Sequence, residues 1–107
     1  CVVIGYNEGQ GNRASTFGGL HIAEMKEGKL IYRGKVGSGF NDDDLKEIGG
    51  MVKKLKHTPK PIEQKVLDEK VSKWVEPQYF VEVTYASLTP DKIFREPVFV
   101  RMRPDLN

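Results

Sequence analysis

Only one stretch of this chain repeats its apolar residues at helical spacing, and that limits what the rest can become. Leu45, Ile48, Val52 and Leu55 recur every three or four residues, which gives a helix one apolar stripe. Asn41 stands just ahead of the stripe, where its side-chain oxygen can accept from amides left unbonded at a helix start. Asp42, Asp43 and Asp44 suit the positive end of the helix dipole, and Lys53, Lys54 and Lys56 the negative end. Gly49 and Gly50 weaken the middle by about 1 kcal/mol each relative to alanine, a cost that close packing against a sheet would offset.

Around that helix the pattern is strand and turn. Val2–Tyr6 is a short apolar run of the kind that makes a buried strand. The glycines between Glu8 and Arg13 mark a loop. Phe17–Met25 reads as a second strand and Leu30–Val36 as its return, joined by a hairpin turn in which Gly28 takes a positive φ. A glycine-rich elbow, residues 34–40, leads into the helix. Thr58–Lys73, with its prolines and charges, reads as an exposed connection. Trp74–Pro77 and Tyr79–Tyr85 give another strand, with Phe80, Glu82 and Thr84 alternating against Tyr79, Val81, Val83 and Tyr85. Thr89–Lys92 is a turn with proline at a favoured position. Pro97–Arg103 is the last strand, expected to carry Val98, Val100 and Met102 on one face.

Three strands, a helix and two strands fit a mainly β fold, a five-stranded OB-type barrel with one helix between its third and fourth strands. A small mixed sheet with one helix fits the same order. With 107 residues the chain makes one domain, residues 1–107. No apolar run approaches the roughly 18 residues that span a bilayer, so no membrane partner is expected. The chain begins at Cys1 rather than Met, which reads as a boundary inside a longer protein. One cysteine permits no intrachain disulfide and no thiolate metal cluster. His21 and His57 lie far apart and read as unrelated, so no metal site is expected.

Net charge is only +2, a weak argument for nucleic acid. The basic surplus lies in residues 51–73, where a solvated helix end and loop explain it as well as a phosphate contact would. Arginine gathers at the end of the chain. Arg101 and Arg103 are two apart on a strand and share a face, and Arg95 can swing toward the same end. Guanidiniums converging in this way suit a polyanion, because each can fork onto phosphate oxygens, and Asp105 could hold one in place. The competing reading is an exposed arginine face with ordinary ion pairs. Gly9, Gly11 and Asn12 beside Arg13, and Gly34, Gly37 and Gly39 around Lys35, could let backbone amides approach phosphates. Tight turns and barrel bends explain the same glycines. Trp74 and Tyr79 invite base stacking, though such rings are more often core. No Lys-x-Asp-Gly site and no Ser/His/Asp arrangement is present.

Taken together, these segments resemble the OB domain of ATP-dependent DNA ligases. The resemblance is carried by Phe17-Gly-Gly-Leu20, the turn at Gly28, Tyr32–Phe40 with its helix, Trp74-Val-Glu-Pro77, the strand around Val81–Val83, and Arg95-x-Pro97-x-x-x-Arg101-x-Arg103-x-Asp105. It runs from about Val2 to Asp105 with Thr58–Lys73 unmatched. It implies a fragment of a larger ligase, inactive alone for want of the nucleophilic lysine. Arg95, Arg101 and Arg103 would meet the ATP triphosphate of an adjoining adenylyltransferase domain, with Asp105 orienting them. Arg13, Lys35 and the Gly37–Phe40 elbow would contact the backbone of nicked duplex DNA. The cofactors implied are ATP and a divalent cation such as magnesium, used by the full-length enzyme and not bound by this domain alone. A monomer inside the cell, in the cytoplasm or nucleoid of a prokaryote, is the setting that goes with it. Where the family usually has lysine after the motif's aspartate, Leu106 stands here. The rival readings are a stand-alone single-stranded nucleic-acid-binding module and the OB domain of an RNA ligase or capping enzyme.

Overall fold

The structure, a computed structural model, describes residues 1–8, 17–62, 66 and 72–103. The apolar run at the start becomes β1 (Val2–Glu8), an inner strand of a four-stranded antiparallel sheet. β2 (Phe17–Lys26) pairs along one edge of β1 and β4 (Ser72–Trp74) along the other. β3 (Lys29–Val36) pairs with β2, giving the order β3-β2-β1-β4. β1 is covered on both faces, which is why it reads as continuous apolar sequence rather than alternation. Val3 and Tyr6 enter one core cluster, Val2 and Ile4 the other. A register shift at Ile4 lets residues three apart share a face. The β2–β3 turn has positive φ at both Glu27 (51°) and Gly28 (78°). That combination suits a two-residue hairpin turn, whose twist matches the flanking strands.

Helix α1 (Asp42–Lys54) follows the expected pattern. The Asn41 side chain accepts from the Asp44 amide at 2.7 Å, and Asp44 Oδ2 accepts from the Asn41 amide at 3.1 Å. This reciprocal capping box satisfies two amides the first turn would leave open. Ile48, Gly49, Val52 and the C-cap Leu55 are buried, so the predicted stripe faces the core. It packs with Phe17, Leu20, Val36 and Phe99. Burial of Gly49 agrees with close packing there, while Gly50 faces open space.

The segment expected to be an exposed connection is not wholly so. Ile62 and Val66 are buried against Val2, Ile4, Ala23 and Tyr32, covering the second face of the sheet. Ser72 and Lys73 belong to β4. Charges and prolines concealed two apolar residues four apart, enough to close a small core.

Beyond β4 the chain forms one bent ribbon. β5 (Val81–Thr84) pairs with β8 (Val98–Met102), and between them β6 (Ser87–Leu88) pairs with β7 (Phe94–Arg95). The expected turn is present: Lys92 N donates to Thr89 O, and Thr89 N to Ile93 O. Glu96, with φ 55°, breaks the return strand. The molecule is therefore mainly β with one helix, but the expected five-stranded barrel is not what the ladders give. Among the described residues, eight strands form three sheets with no ladder joining one sheet to another. Two interruptions of the ribbon and the added β4 account for the higher count. Across the gaps run isolated backbone contacts: Val81 N to Cys1 O, Val3 N to Tyr79 O and a lone Val2–Phe80 bridge at one side, Phe99 N to Ser38 O at the other.

Candidate functional site

The last strand carries the residues that sequence singled out. Glu82 faces Arg101 across the β5–β8 ladder, yet Val83 faces Phe99, so Val100 is an extra residue on β8. Such a bulge shifts the in–out phase by one. Phe99 is buried, Met102 is half-buried against the core, and Val98 and Val100 are exposed. The expected face of Val98, Val100 and Met102 is therefore corrected: strict alternation fails at the bulge. Arg101 and Arg103 nonetheless emerge together, as their spacing predicted.

Both reach the same carboxylate oxygen. Glu82 Oε1 accepts from Arg101 Nε at 3.0 Å and lies 3.0 Å from Arg101 Nη2 and 3.2 Å from Arg103 Nη1. The Arg101 side chain is 66% exposed, those of Arg103 and Glu82 about a third. Ion pairs this open contribute about 0–1 kcal/mol each, so the guanidiniums exchange partners at little cost. Glu82 was not among the sequence candidates. Alternation placed it on a face, but only the register shows which arginines it meets.

Arg95 is not brought alongside this pair. It lies on β7 opposite Ser87, beyond the Glu96 kink, with an exposed side chain that makes no hydrogen bond or ion pair among the described residues. Asp105 and Arg13 lie outside the described residues.

A fourth arginine is of a different kind. Arg33 is buried, its Nε donating to Glu24 Oε1 at 2.9 Å and its Nη1 to Lys92 O at 2.8 Å. Its guanidinium carbon lies 6.0 Å from the centre of the Phe94 ring. It ties the 89–92 turn to the sheet.

In the elbow, Gly37 and Ser38 are exposed, and Lys35 is an exposed side chain on β3. Gly39 has φ 92°, and a Cβ there would stand 2.8 Å from Phe99 N. Phe40 packs edge-on against Phe17 at 5.1 Å and stacks on Phe99 at 4.6 Å between centroids. The glycine and the ring thus have structural reasons of their own, and Ser38 is tied to the last strand by its carbonyl oxygen, which accepts from Phe99 N.

His21, read from sequence as unrelated to His57, is wholly buried in a polar network. Its Nδ1 is 2.8 Å from Tyr32 Oη, and its Nε2 is 2.8 Å from Asn7 Oδ1 and 2.7 Å from Ser72 Oγ. Trp74 packs over it with ring centres 4.8 Å apart. Trp74 and Tyr79 are both half-buried, Tyr79 against the first core cluster and Trp74 against the second. Among the described residues no three His, Cys, Asp or Glu side chains gather to hold a metal ion. No described helix is long and apolar enough to cross a membrane.

Fold and edge together define a class: a small, mainly β domain with one helix, presenting paired guanidiniums suited to a polyanion. The chain belongs to the family described as the ATP-dependent DNA ligase C-terminal region, whose model matches residues 13–106. It is similar to the multifunctional non-homologous end joining protein LigD of Pseudomonas aeruginosa, with 34% identity over 109 residues, covering 97% of this chain and 13% of that protein. It is 33% identical over 123 residues to a DNA ligase of Hyperthermus butylicus, covering 97% of this chain and 20% of that one. Among solved structures it matches the ligase domain of Mycobacterium tuberculosis LigD with a TM-score of 0.84 at 31% identity, over 97% of this chain and 34% of that one. A mycobacterial DNA ligase D complexed with ATP matches with a TM-score of 0.76 at 30% identity and the same coverage. The chain thus spans less than a quarter of the length of these curated relatives.

Proposed function

We propose that this domain serves nick sealing by a full-length ATP-dependent DNA ligase, in repair or replication. It closes over an adenylyltransferase domain of the same polypeptide, where Arg95, Arg101 and Arg103 meet the ATP triphosphate and Asp105 orients them. There the guanidiniums balance charge on the pyrophosphate leaving group and hold it in line while a lysine of the other domain attacks the α-phosphate. ATP and a divalent cation such as magnesium belong to that partner domain, and this domain alone transfers nothing. The domain then turns so that Arg13, Lys35 and the elbow from Gly37 to Phe40, including Ser38 and Gly39, grip the backbone of nicked duplex.

The observation that carries this reading is the convergence of Arg101 and Arg103 on an exposed edge, in a chain of this family. The OB-type barrel is supported by strand adjacency: β1, β2, β3, β8 and β5 follow one another in a ring, with isolated backbone bonds joining β5 to β1 and β8 to Ser38 just after β3. A monomer working inside the cell goes with the same reading.

Arg101→Ala and Arg103→Ala in the full-length ligase test it. Each is expected to slow self-adenylylation by about 100-fold, the scale of losing one transition-state donor. Lysine adenylylation at the parent rate in both variants would remove the assigned role.

A further inference from the structure

We infer that Glu82 is the positioning residue of the arginine pair, holding Arg101 and Arg103 side by side until polyphosphate takes its place; this rests on the arginine reading above. Register makes Glu82 the natural choice. It lies directly across the ladder from Arg101, and Arg103, whose amide donates to Phe80 O, is its diagonal neighbour on the same face. The Val100 bulge brings Arg101 out in phase with Glu82.

One oxygen, Glu82 Oε1, draws on Nε and Nη2 of Arg101 and on Nη1 of Arg103. Two guanidiniums this close repel unless a counter-charge lies between them. The carboxylate oxygen stands where a phosphate oxygen would make the same demands, so the pair waits in a geometry already fit for the substrate. Exposure separates this cluster from the Arg33–Glu24 pair. The Arg33 side chain is 6% exposed and committed to its partners, whereas that of Arg101 is 66% exposed and able to change them. A polyphosphate carries more negative charge than one carboxylate and displaces it from the outward-facing donors. Glu82 touches no reacting atom, so its effect passes through the arginines alone.

The experiment uses the full-length ligase with Glu82→Ala, Glu82→Gln, Glu82→Asp, Arg101→Ala, Arg103→Ala and the double variant E82A/R101A. Two single-turnover rates are measured: AMP transfer from ATP to the lysine over a range of ATP concentrations, and closure of a nick supplied already adenylylated. Glu82→Ala and Glu82→Gln are expected to lower the limiting rate of AMP transfer about tenfold or more, within the range that misplacing a catalytic group costs. Glu82→Asp restores part of it, the double variant is no slower than Arg101→Ala, and closure of the adenylylated nick is unchanged. AMP transfer at the parent rate in Glu82→Ala, with Arg101→Ala slow, overturns the role of Glu82 and leaves the arginine reading standing. Parent rates in Arg101→Ala and Arg103→Ala overturn both. Equal losses in both steps, or tighter ATP use with an undiminished limiting rate, make Glu82 a structural residue or a mere competitor and also overturn the inference.

Discussion

At position 39 the backbone is left-handed and a neighbouring strand lies against it, so two costs coincide at one residue. Gly39→Ala should destabilise the domain by about 2–4 kcal/mol, read as a shift in the denaturant midpoint. Gly28 provides the control, since its φ is 78° but nothing lies within 4 Å. There alanine should cost only about 1 kcal/mol. His21→Ala removes a wholly buried ring and a partner of Asn7, Tyr32 and Ser72, and about 2–4 kcal/mol should be lost in the same measurement. The glycine at 28 was legible because a hairpin turn announces itself locally. His21 was not, because its partners are 11, 14 and 51 residues away and nothing in the chain's order points to them.

Helix α1 was readable nearly to its ends, because cap, charge gradient and stripe are all written within sixteen residues. Its weak point is equally readable. Gly50 is exposed with open space where a side chain would go, so Gly50→Ala should stabilise by about 0.5–1 kcal/mol. Asn41→Ala should cost about 1 kcal/mol by opening the capping box. Both are checked by thermal or denaturant unfolding, and opposite signs are expected. The terminal strand was harder. Its two arginines fall on one face as alternation suggests, yet Val98 and Val100 are exposed and Phe99 is buried, because one bulged residue resets the count. A bulge depends on what lies opposite, which a single strand's sequence does not contain.

At the scale of the molecule, order along the chain was legible and lateral pairing was not. Three strands, one helix and two final strands came in the expected order, whereas the addition of β4 depended on pairing with β1, far away in sequence, and the breaks at the tip of the ribbon on what lies across it. Stability should be uneven in consequence. The doubly covered sheet around β1 should hold its amide hydrogens longest, and the two-residue ladder of β6 and β7 should give them up first. Hydrogen exchange would show it, and early loss across β1 would contradict the layout. The joint between Ser38 and Phe99 has a further bearing on experiments. The elbow proposed to touch duplex is fastened to the strand that leads, two residues on, to Arg101. A defect in sealing produced by changing Ser38 or Gly39 could therefore enter through either substrate, and it belongs to DNA contact only once AMP transfer in the same variant has been found intact.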